Sequence, residues 1–124
     1  VMEIELRQDA EAGAYSYRNK EECESLVRYT AASDELAQES AELALRAWRL
    51  LGCRDAGRVD IREDAAGRAT FMEINPLAGL HPEHSDLPIL AALHGISYQE
   101  LLGQIIASAE QRMKHPRETA QAGA

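Results

Sequence analysis

Apolar and polar residues alternate over Val1–Arg7, with Met2, Ile4 and Leu6 set against Glu3, Glu5 and Arg7, the period-two signature of a strand. A polar stretch of weak periodicity, about Gln8 to Ala32, follows and reads as a long loop, the kind that serves as a lid or stays disordered. The period then changes to that of a helix. Leu36, Ala37, Ala41, Ala44, Leu45, Trp48 and Leu51 recur on one helical face, Ser33 is the expected cap, and Gly52 the expected stop. Two strands, about Ala56–Glu63 and Arg68–Asn75, are joined by the turn sequence Asp64-Ala65-Ala66-Gly67. Beyond a loop with Pro76, Gly79 and Pro82, a short helix is expected near Leu87–Leu93, ended by Gly95. Ser97-Tyr98-Gln99-Glu100 is a capping box that opens a last helix, whose expected buried face is Leu101, Leu102, Ile105, Ile106 and Ala109. Residues 114–124 read as a disordered tail, leaving 1–113 as one α+β unit, an antiparallel sheet packed on helices.

The hairpin concentrates the polar side chains. Alternation puts Gly57, Val59 and Ile61 on one face of its first strand and Thr70, Met72 and Ile74 on one face of its second. Pairing Glu63 with Arg68 brings these apolar sets together and leaves Arg58, Asp60, Phe71, Glu73 and Asn75 on the other side. Two carboxylates about 4 Å apart repel by about 4 kcal/mol at an effective dielectric near 20, so a positive charge must offset them. Arg58 alone meets that need if the face is a surface ion pair. A hard cation meets it equally, since oxygen donors from Asp60, Glu73 and Asn75 suit Mg²⁺ and not zinc. Both readings stand on the sequence.

Composition narrows the setting. The 124 residues are 45% hydrophobic and 27% charged, sufficient for one domain, with a formal net charge of −8 that disfavours a nucleic-acid partner. No apolar run approaches the ~18 residues of a membrane span, and Val1–Arg7 lacks the character of a signal peptide. Cys23 and Cys53 read as reduced thiols of a cytoplasmic chain. His81-Pro82-Glu83-His84 lacks the helical ligand spacing of zinc motifs. Trp48 and Phe71 read as core residues. A start at Val1 rather than methionine is expected of a piece of a longer protein.

The ordered set Leu51-Gly52-Cys53, Gly57-Arg58-Val59-Asp60, Glu73-Ile74-Asn75-Pro76-Leu77-Ala78-Gly79, Ser85-Asp86-Leu87-Pro88 and Gly95-Ile96-Ser97-Tyr98 resembles the C-terminal part of D-alanine–D-alanine ligases, of the ATP-grasp superfamily. The resemblance runs from about Tyr15 to Ala109. It implies an ATP-dependent carboxylate–amine ligation through an acyl phosphate, in peptidoglycan precursor synthesis. It also implies two Mg²⁺ ions, with Mn²⁺ as a substitute: Asp60 holding one, Glu73 bridging both and Asn75 holding the second. Arg58 and the backbone N–H of Gly79 would stabilise the oxyanion.

Ser85, or His84 beside it because this loop is one residue longer than the family pattern, would hold the carboxylate of the second D-alanine. As a plain structural residue, Ser85 caps the following helix. Lys20, in Tyr15-Ser16-Tyr17-Arg18-Asn19-Lys20, matches the lysine that reaches the ATP phosphoryl group, or else is simply solvated; Glu21 stands where the family has tyrosine. No glycine-rich phosphate loop or adenine hinge occurs in the sequence, so the chain by itself is expected to fold without turning over ATP. The Val1–Arg7 strand, with an unpaired edge, is expected to drive a symmetric homodimer. Two other readings are a ligase for a different amino acid and a non-catalytic binding domain of the same descent.

Overall fold

The structure, a computed structural model, describes residues 1–6 and 27–114. β1 (Met2–Leu6) pairs antiparallel with β2 (Val27–Ala31), Ile4 lying opposite Tyr29. Helix α1 (Glu35–Leu50) leads to the hairpin of β3 (Arg58–Glu63) and β4 (Ala69–Asn75), which forms a separate two-stranded sheet. Helices α2 (Asp86–Leu93) and α3 (Tyr98–Lys114) close the chain. α1 covers both strands of the hairpin, while α2 packs on β2 and on α3. The buried apolar residues Val27, Ala37, Ala91 and Leu101 come from β2, α1, α2 and α3 respectively.

Local chemistry explains the helix ends. Gly52 (φ 67°) and Gly95 (φ 74°) each sit in the left-handed region just past a helix. There the N–H of Cys53 reaches the Trp48 carbonyl at 3.0 Å and that of Ile96 reaches the Ala91 carbonyl at 2.9 Å. This backbone arrangement satisfies carbonyls the helix leaves open. The capping box forms as the sequence indicates: Ser97 N–H donates to Glu100 Oε2 (2.8 Å) and Glu100 N–H to Ser97 Oγ (3.2 Å). The Ser97 bonds, from hydroxyl and backbone, hold the exposed Glu100 carboxyl below its ordinary pKa.

Several expectations are corrected. The stretch from Gln8 to Ala32 is not all loop, because Val27–Ala31 is a strand that pairs with β1 along the edge expected to be unpaired. Asp34, not Ser33, caps α1, its Oδ1 accepting the Ala37 N–H at 2.8 Å. Leu45, Leu51 and Ile106 are exposed rather than on buried faces, and so is Phe71. α3 also runs through Lys114, one residue into the expected tail.

The hairpin register differs as well. Asp64 Oδ1 accepts N–H bonds from Ala66 (2.8 Å) and Arg68 (3.0 Å), and Gly67 takes φ 77°. The turn therefore closes with Asp64 opposite Arg68, and Glu63 pairs with Ala69 instead of Arg68. Continued without interruption, that one-residue slip would set Glu73 opposite Val59 and split the polar face. A bulge prevents this. Ile61 pairs with Phe71, but Asp60 pairs with Glu73, leaving Met72 as the extra residue. Two one-residue shifts restore the original parity, so Glu73 returns to the side of Asp60 while Phe71 moves to the side of Ile61.

Candidate functional site

β3 and β4 carry the polar cluster. Arg58 lies opposite Asn75, and Asp60 opposite Glu73. Within β3, Arg58 and Asp60 are two residues apart and so project to one side. Arg58 Nε donates to Asp60 Oδ1 at 2.6 Å and Nη2 to Oδ2 at 3.0 Å, a two-point pair. Nη2 also donates to Glu73 Oε1 at 3.4 Å, and Nη1 to Asp86 Oδ2 at 2.8 Å. Burial on its own lowers the Arg58 pKa, but the hydrogen bond and charge of Asp60, then those of Asp86, outweigh it and raise the value above that of ordinary arginine. One guanidinium thus serves three carboxylates from β3, β4 and α2. The ion-pair reading is what this geometry shows, and the oxygens Arg58 engages on Asp60 and Glu73 belong to the set that the cation reading requires.

The donor chemistry fits a hard cation: Asp60, Glu73 and Asn75 offer only oxygen. Among the described residues there is no cluster of three His, Cys, Asp or Glu suited to a metal, so the set relies on the Asn75 carboxamide as its third member. Asn75 Oδ1 accepts the Leu77 N–H at 3.1 Å, which fixes the carboxamide at the exit of β4. Trp48 of α1 packs directly on Gly57 at the other strand, so that no side chain fits there.

The loop after β4 folds back on the start of α2. A Cβ placed on Gly79 would lie 2.7 Å from Ser85 Oγ, so glycine at this position lets the backbone approach that hydroxyl. Ser85 has the backbone of a helix cap (φ −100°, ψ 138°), yet its side chain makes no cap bond. Its Oγ instead accepts the His81 N–H at 2.9 Å. His84 stacks on His81 with ring centroids 4.6 Å apart, and His81 Nδ1 accepts the N–H groups of Glu83 and His84, both at 3.2 Å. Tyr98 Oη ties this loop to α3 by donating to the Leu80 carbonyl at 2.8 Å.

The structure therefore brings Arg58, Asp60, Glu73 and Asn75 together on one face and Gly79 together with Ser85. Lys20 lies outside the described residues. Asp86 was not singled out by sequence reasoning. The signal that could have found it is its place after Ser85 in the first turn of a helix, where negative charge is favoured.

A family model described as D-ala D-ala ligase C-terminus matches residues 1–107. D-alanine–D-alanine ligases of Bordetella petrii and Albidiferax ferrireducens are 36% and 38% identical over 86% and 84% of this chain, which corresponds to 33% and 31% of their own length. That of Marinobacter nauticus is 45% identical over 61% of this chain and 22% of its own. The chain thus spans about a third or less of these relatives. Crystal structures of a D-alanine–D-alanine ligase from Bacillus anthracis, one complexed with ATP, share the fold at TM-scores of 0.68 and 0.69 and 24% identity. Each covers 91% of this chain and 36% of the larger one. With the family match extending over most of its length, this chain belongs to the D-ala D-ala ligase C-terminus family.

Proposed function

We propose that the chain is the metal- and acceptor-side part of an ATP- and Mg²⁺-dependent D-alanine–D-alanine ligase acting in peptidoglycan precursor synthesis in the cytoplasm. The observation that carries this reading is the β3–β4 register, with Asp60 opposite Glu73 and Arg58 opposite Asn75. In the reaction, ATP transfers its γ-phosphoryl group to the carboxylate of one D-alanine, giving an acyl phosphate and ADP. The amine of a second D-alanine attacks the acyl carbon, and inorganic phosphate leaves as the amide forms.

Asp60, Glu73 and Asn75 would hold two Mg²⁺ ions, or Mn²⁺, which when bound neutralise charge on the phosphates. Arg58 and the Gly79 N–H offer positive charge and a fixed donor to the developing oxyanion. Ser85, or His84 beside it, would hold the carboxylate of the acceptor D-alanine, and Lys20 would contact the ATP phosphoryl group. The 124-residue chain alone supplies positioning for half of this chemistry and is expected to release no ADP. Among the described residues no third strand pairs with β1 or β2, and such edges favour a symmetric dimer, which sedimentation equilibrium would detect as a doubled mass.

The test is Glu73→Gln in a complete ligase containing this segment, followed by D-alanine-dependent ADP release. Glu73 is 66% exposed and makes only a 3.4 Å contact with Arg58, so folding should change little. Turnover should fall by about 100-fold or more, a loss of transition-state stabilisation comparable to removal of one electrostatic donor. Turnover within a few-fold of wild type, with normal Mg²⁺ dependence, refutes the assignment.

A further inference from the structure

We propose that Asp86 is a positioning residue that holds the Arg58 guanidinium in place when Asp60 is drawn to other partners. The inference rests on the ligase reading above, and it adds a residue to which neither the family match nor the sequence motif assigns a role.

Arg58 spans two parts of the molecule. Four of its five N–H groups are engaged by the bonds to Asp60, Glu73 and Asp86, and the fifth, on Nη1, lies beside the Asp86 bond. Asp60 and Glu73 belong to the hairpin face whose oxygens suit a cation. Whatever positive group those oxygens take up competes with Arg58 for the same lone pairs. A guanidinium held only by the hairpin would then lose its anchor at the moment when its position matters.

Asp86 does not share that conflict. It sits in α2, 28 residues away in sequence, next to Ser85, whose hydroxyl lies against Gly79. Its side chain is 11% exposed, against 36% for Asp60 and 66% for Glu73, so its bond to Arg58 is the least screened of the three. The carboxylate is also placed in the first turn of α2, where the helix dipole favours its charge. The pair therefore links the guanidinium to the Gly79–Ser85 segment rather than to the hairpin alone, and it fixes the direction of the remaining Nη1 hydrogen.

The experiment has two arms. In the 124-residue chain, ¹⁵N NMR follows rotation about the Arg58 Nε–Cζ bond, with Arg58→Lys identifying the signal. Asp86→Asn should accelerate that rotation about tenfold, and Asp86→Glu should restore much of the restraint. In a complete ligase, Asp86→Asn should lower kcat on the order of tenfold while KM for ATP stays level, again with recovery in Asp86→Glu. A residue that merely stabilised α2 would alter the melting temperature without moving the Arg58 signal. Unchanged rotation in Asp86→Asn overturns the proposal, as does a kcat within twofold of wild type. If the wild-type ligase releases no ADP with D-alanine, the functional reading falls instead, and the Arg58 signal alone decides what Asp86 does.

Discussion

Gly57 and Gly103 allow the packing to be tested by one chemical change made twice. A Cβ at Gly57 would fall within the Trp48 ring and 2.5 Å from the Asn75 carbonyl oxygen, whereas at Gly103, in α3, it would meet nothing within 4 Å. Both obstacles at Gly57 are rigid, one an indole clamped by α1 and the other the backbone of the paired strand. Overpacking of this kind costs about 2–3 kcal/mol. Loss of glycine freedom in the unfolded chain returns about 0.5–1 kcal/mol, so Gly57→Ala should destabilise by about 1–2.5 kcal/mol net. Gly103→Ala keeps only the favourable part and should stabilise by about 0.5–1 kcal/mol. For a domain of this size the melting temperature should fall by roughly 4–15 °C in the first variant and rise by roughly 2–6 °C in the second. Thermal unfolding by circular dichroism measures both. Trp48, the single tryptophan, adds a local readout, since its fluorescence should shift only in Gly57→Ala. A Gly57→Ala melting temperature within about 2 °C of wild type, with unchanged emission, would refute the close packing of Trp48 on Gly57.

Three further outcomes are expected. Arg58→Met, which leaves Asp60, Glu73 and Asp86 without their shared cation, should lower kcat of a complete ligase by about 100-fold with KM for ATP little changed; a raised KM at constant kcat would make Arg58 a binding residue. Ser85→Ala removes the acceptor of the His81 N–H and should raise KM for the acceptor D-alanine at least several-fold, with about 1 kcal/mol lost in stability as read by urea unfolding. The Arg112 hydrogen bond, followed by that of Ser108, holds the Asp55 carboxyl below its ordinary pKa even against the opposing effect of desolvation. A lowered folded-state pKa contributes stability above the unfolded pKa, near 4, that is lost as pH falls through the lower folded value. Urea unfolding of Asp55→Asn should therefore show a deficit against wild type at pH 7 that disappears in acid, and a pH-independent deficit would remove the electrostatic explanation.

Much of the architecture is legible from neighbouring residues. The Ser97–Glu100 box, the glycines that stop α1 and α2, and the alternation of Met2 and Ile4 in β1 depend on groups a few positions apart, so sequence periodicity suffices. The hairpin was readable for the same reason, as was the grouping of Arg58, Asp60, Glu73 and Asn75. β2 carried a fainter signal, Val27 and Tyr29 alternating with Arg28 and Thr30, but five residues of alternation within a charged stretch do not stand out. Its existence depends on β1, more than twenty residues earlier, and only the folded chain brings the two together.

The site shows the same division. Residue types and parity specified which oxygens share a face, because side chains along a strand alternate whatever else the chain does. The path by which Glu73 reaches that face was decided in three dimensions. An Asp64-centred turn shifts the register by one, and the Met72 bulge shifts it again. Each shift is set by hydrogen bonds across the hairpin, so neither is written in the alternation of a single strand. The contact between Arg58 and Asp86 goes further still, since it joins a strand to a helix 28 residues away. Sequence placed the charges on their own elements; the tertiary structure, which brings the first residue of α2 to Arg58, chose which opposite charges would meet.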